Sequence, residues 1–174
     1  DLVIGLIKAD KYDIQIVSLP WGNCPMDALK SDNKEHQEIS KRIARQNINR
    51  QPDVFIQISV PNEFQKIGKY NIGITAGIET NAVPHEFIQG ANNMDLLITT
   101  SEHSKKGFDV IYDKVNEKTQ QKEGQLKLET PIEVLFEGAD LNVYKKTNEI
   151  SAIVKEELSN IKDEFCYLFV GHWL

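Results

Sequence analysis

Cysteine, basic excess and long apolar runs are all scarce in this 174-residue chain, and each scarcity removes a class of protein. There are two cysteines, Cys24 and Cys166, far apart in sequence. That is neither a disulfide framework nor a thiolate metal site, so a reducing, cytoplasmic compartment and no bound metal are expected. Lys and Arg number 20 against 26 Asp and Glu, a formal net charge of -6 with a pI of about 5.3. The overall field therefore repels phosphate backbones and anionic bilayers: no nucleic-acid partner is expected, and membrane association is not indicated. No run reaches the ~18 apolar residues of a spanning helix, and residues 1–9 lack the basic start and long apolar core of a signal peptide. The chain reads as soluble. Also missing are G-x-G-x-x-G, the P-loop motif, H-E-x-x-H and G-x-S-x-G. Without an elbow or a third orienting group, Cys24 with His36 is not a nucleophile pair.

What is present is an alternation of helical and strand patterns. Leu2, Val3, Leu6 and Ile7 have helical spacing, like the tail of a longer helix. Ile14, Ile16, Val17 and Leu19 make a short strand ended by Pro20, with Trp21, Gly22 and Asn23 turning the chain. Asp32 or Asn33 caps a helix expected to run to about residue 49, stopped by Pro52. Strands are expected at 54–58, 70–78, 96–100, 132–136 and 165–170. Helices are expected at 101–115, from the recurrence of Phe108, Ile111 and Val115, and at 147–161, with Ile150, Ile153, Val154, Leu158 and Ile161 facing inward. The polar stretch 116–127 reads as an exposed loop or hairpin. The expected class is α/β: a Rossmann-like parallel sheet with helices on both faces, since parallel strands need long crossovers.

One segment carries functional information. The apolar run from Ile72 to Ile78 ends at Glu79, followed by Thr80, Asn81 and Pro84, so a strand delivers a carboxylate into a loop before a short helix. Loops at the carboxyl ends of strands are where open α/β sheets bind ligands. Glu79 reads either as a carboxylate orienting a hydroxyl or as a solvated or helix-capping loop acid. His85 and His103 read either as hydroxyl or phosphate ligands or as surface histidines in a helix's first turn. Ser101, Glu102 and Ser104 open a helix, where capping competes with anion binding at free amides. Asp140, after Gly138, either fixes a turn or reaches a ligand. Trp21 either lines a cleft or packs.

In order, Glu79, Thr80, Pro84, Phe87, Asn92 or Asn93, Asp95, the run 96–100, Ser101 and Phe108 resemble the amino-terminal domain of group-1 glycosyltransferases of the GT-B type. Residues 134–140, with Gly138, Ala139 and Asp140, and then Tyr144 look like that family's strand and Gly-Val-Asp turn. Residues 165–171 look like the first strand of its second domain. Phe87 stands where Trp is usual, and Ala139 where Val is usual. The resemblance implies an acceptor-side domain at 1–163, its first strand missing, and the start of a donor-binding domain at 164–174, as in a fragment truncated at both ends. It implies a glycosyltransferase, of hexosyltransferase type, moving a sugar from a nucleotide-sugar to a hydroxyl of a glycan, lipid or protein. The donor would bind the missing carboxy-terminal domain without metal, leaving no cofactor on this piece and the fragment alone inactive. Glu79, Thr80, Ser101, His103, Trp21, Gly138 and Asp140 are the cleft candidates; none is assigned a catalytic role. The alternative is a non-catalytic, flavodoxin-like module that binds a ligand or partner.

Overall fold

A computed structural model describes residues 2–19, 25, 27–44, 50–78, 80–115, 119, 121–147 and 149–167. The chain forms two compact units, Asp1–Leu135 and Phe136–Leu174.

The first unit contains helices α1 (Leu2–Ala9) and α2 (Lys34–Ser40), strand β1 (Val54–Ile58), a 3-10 turn at Pro61–Glu63, and β2 (Tyr70–Thr75). Helix α3 (His85–Ala91), strand β3 (Leu96–Thr99), helix α4 (Glu102–Gly107), strands β4 (Tyr112–Val115) and β5 (Lys122–Leu126), and β6 (Ile132–Val134) follow. Strands β1, β2, β3 and β6 form one sheet in that order, every neighbouring pair parallel. The protein is therefore α/β. In-register partners share a face, so Gln57, Gly73 and Leu97 lie on one side of the sheet with Asn71, Thr75 and Thr99. This face is buried against the crossovers. Phe64 occupies the space where a Gly73 side chain would stand, and Leu97 packs in one core with Val83, Ile88, Ala91, Met94, Phe108 and Leu126. Phe64 from the β1–β2 connection, and Ile88 and Ala91 from the helix between β2 and β3, belong to the same core as Leu97, so both connections pack on this face.

That buried face is unusually polar, and its polar groups hold the loops. The crossover from β1 to β2 is only a 3-10 turn and extended chain, so its backbone groups lack helical partners. Gln57 donates to the Glu63 carbonyl at 2.9 Å and accepts from the Gln65 amide at 2.9 Å. Asn71, fully buried, accepts from the Ile67 and Gly68 amides at 2.9 and 2.7 Å and donates back to the Gly68 carbonyl at 3.1 Å. Among the described residues no buried side-chain nitrogen or oxygen lacks a partner.

Several expectations are corrected. The strand expected at 14–19 is a single parallel bridge, Ile16 with Ile43, made by the Ile16 amide to the Arg42 carbonyl and the Ala44 amide to the Ile16 carbonyl. Asn33 does cap α2, accepting from the Glu35 and His36 amides, but the helix ends at Ser40 because the following backbone turns into that bridge. Residues 45–49, assigned to the same helix, lie outside the described residues. The helix expected over 101–115 ends at Gly107, and Tyr112–Val115 is instead a strand paired antiparallel with β5. The spacing of Phe108, Ile111 and Val115 misleads here: Phe108 is buried, whereas Ile111 and Val115 are 57% and 47% exposed. Within the polar stretch after Val115, β5 pairs antiparallel with β4, with Gly124 at φ 155°.

In the second unit, α5 (Ala152–Ser159) is capped by Ser151, whose hydroxyl accepts from the Val154 amide at 3.3 Å. Its apolar side chains do not face inward as expected, since every described residue of this unit is exposed. Residues 165–167 have no regular structure, and the rest of the strand expected there is outside the described residues.

Candidate functional site

Because β2 and β3 are parallel, the loops leaving Thr75 and Thr99 emerge at one edge of the sheet. They are fastened to each other. The Ala76 carbonyl accepts from the Ser104 hydroxyl at 2.7 Å and from the Thr100 hydroxyl at 3.4 Å. Gly77 follows at φ 86°, with its amide 3.3 Å from the Thr75 hydroxyl. A Cβ at Gly77 would sit 2.5 Å from the Ser104 Cβ, so glycine is required both by the left-handed backbone and by the approach of α4.

Ser101 is the N-cap of α4: its oxygen accepts from the Ser104 amide at 3.1 Å, and its proton goes to the Ser104 oxygen at 3.0 Å. Of its two sequence readings, capping is the one the geometry supports. Ala76, Thr100, Ser101 and Ser104 are thus a connected set of hydrogen bonds joining the β2 loop to the first turn of α4. Ser104, 5% exposed, is its centre, a role the sequence reading did not single out; the helical offset of three residues from the cap was the available signal.

The other candidates are less gathered. Thr80 is exposed and donates to the Ala82 carbonyl at 3.2 Å. His103 is exposed on the first turn of α4. His85 lies exposed at the start of α3, with Nδ1 3.3 Å from the Glu86 carboxylate and its ring edge-on to Tyr112. Glu79 and Trp21 lie outside the described residues. Gly138 and Asp140 belong to the second unit. There Asp140 accepts from the Asn142 amide at 2.8 Å while its carbonyl receives the Val143 and Tyr144 amides, which is the turn-fixing role.

Among the described residues no three His, Cys, Asp or Glu side chains converge on a possible metal position. An open depression of about 350 Å³ is lined by Leu29, Lys30, Ser31, Gln37, Ser40 and Lys41 and shares no residue with the carboxyl edge. Its rim includes α2 and the turn before it, and Lys41 there is already paired with Glu38, so it does not compete as a site. At the opposite, amino end of the strands, Asp95 accepts from the Asn71 side-chain amide at 3.0 Å and from its backbone amide at 2.7 Å. Those two bonds hold its carboxyl below the ordinary value. This pair braces the start of β3 and has no place in ligand chemistry at the other edge. Glu35, Glu38, Asp53 and Asp113 are lowered by exposed lysines, with Arg42 adding to Lys41 at Glu38.

No helix among the described residues is long and apolar enough to cross a membrane. No family model, curated protein or solved structure matches the chain.

Proposed function

We propose that this chain carries the acceptor-side, Rossmann-like domain of a GT-B glycosyltransferase, residues 1–163, with 164–174 beginning the donor-binding domain. The complete enzyme would transfer a sugar from a nucleotide-sugar to an acceptor hydroxyl. One observation carries the reading: the loops with Thr80 and with Ser101 and His103 leave the same edge of a parallel sheet and are tied together at the Ala76 carbonyl. That is the edge at which open α/β sheets take ligands. In this proposal the Glu79 carboxylate orients the acceptor hydroxyl, whose oxygen bonds to the anomeric carbon as the bond to the diphosphate breaks; the nucleoside diphosphate departs and the hydroxyl proton passes to it or to the surrounding water. Trp21 is a further acceptor-side candidate. The diphosphate would be stabilised by helix amides and basic side chains of the donor domain, without metal.

A non-catalytic, flavodoxin-like binding module is the second reading. It is favoured by the engagement of the Thr100, Ser101 and Ser104 hydroxyls in bonds within the protein, which makes them structural. The full-length gene product, offered a panel of nucleotide-sugars with glycan, lipid and peptide hydroxyl acceptors, separates the two. Transferase function predicts acceptor-dependent release of nucleoside diphosphate, reduced about tenfold or more in Glu79→Gln with unchanged melting, because a loop carboxylate contributes charge-assisted bonds and little packing. No release with any donor would remove the transferase reading, and unchanged kinetics in Glu79→Gln would remove that residue from the site.

A further inference from the structure

We draw no further inference here: the strongest candidate, the apolar face of the sheet opposite Gly73 and Leu97, where Val54, Ile56, Ile58, Ile72, Ile74 and Ile98 lie partly exposed beside the open edge at β1, carries nothing because nothing in the structure shows what covers it.

Discussion

Replacing Gly90 and Gly107 by alanine, one at a time, should change stability in opposite directions although both glycines are helical. By intrinsic preference each change favours the helix by about 0.5–1 kcal/mol, because alanine restricts the unfolded backbone and has the better propensity. At Gly107 nothing opposes that gain. A Cβ there lies 3.6 Å from Val83 Cγ1 and 3.8 Å from Ile78 Cγ2, ordinary contact distances that add apolar packing beneath the β2 loop. At Gly90 the helix touches the 3-10 turn backbone to backbone. A Cβ would fall far inside contact distance of the Pro61 carbonyl oxygen, 2.5 Å from its carbonyl carbon and 3.0 Å from Asn62 Cα. None of these atoms is a flexible side-chain end, so α3 and the turn must separate by roughly an ångström, which disturbs the buried Ile88 and Ala91 beside it. Overpacking of that kind costs about 1–3 kcal/mol and sometimes more, and it outweighs the propensity gain, for a net loss of about 2 kcal/mol. Thermal unfolding followed by circular dichroism should show Gly90→Ala melting roughly 5–10 °C below the parent and Gly107→Ala a few degrees above it. Equal melting of the two variants, or a Gly90→Ala protein as stable as the parent, would refute the close approach of α3 to the Pro61 turn.

Ser104→Ala should loosen the β2 loop, since it removes the 2.7 Å bond to the Ala76 carbonyl and leaves only the longer one from Thr100. The expected loss is about 1–2 kcal/mol, with faster amide hydrogen exchange in peptides spanning 76–83, and unaltered exchange there would show that the bond does not hold the loop. Asn71→Ala strips partners from the Ile67 and Gly68 amides and from Asp95, so a loss of about 2–4 kcal/mol in urea unfolding is expected; a loss under half a unit of that scale would mean the crossover is held by something else. Asp95 is lowered in the folded state, so its contribution is present above its unfolded value near pH 4 and fades as pH falls through that value toward the lower folded one. Asp95→Asn should therefore be less stable than the parent at neutral pH and lose less on acidification from about pH 5 to pH 3, and urea midpoints that fall in parallel for the two proteins would contradict the assignment.

Four sheet strands were legible because each is an apolar run bounded by its own punctuation, β6 by Pro131 before it. Pro52 and Pro61 bracket β1, Gly68 and Gly77 bracket β2, and Asp95 and Ser101 bracket β3. The alternation with helical patterns was enough to make the sheet parallel, since short turns cannot return a chain to a parallel neighbour. The caps at Asn33 and Ser101 were legible for the same local reason: a side-chain oxygen needs only the amides two or three residues ahead.

Where a segment's partner is distant, local pattern failed. The spacing of Phe108, Ile111 and Val115 satisfies a helix, yet Tyr112–Val115 is a strand because β5 is available to pair with it. Ile14 to Leu19 has strand composition, but among the described residues only Ile16 is paired as in a strand, with Ile43. Gln57 and Asn71 are polar positions in otherwise apolar strands, which by themselves do not say which face they occupy. Register with β2 and β3 put them on the buried side, where the amides of the short crossover supply their partners. The candidate site divides in the same way. The sequence by itself determined that Glu79 and Thr80 follow one strand and Ser101 another, because strand ends are written in neighbouring residues. Only the tertiary structure decided that the two loops meet at the Ala76 carbonyl, because that bond joins residues 28 positions apart and exists only once the parallel strands have brought them to one edge.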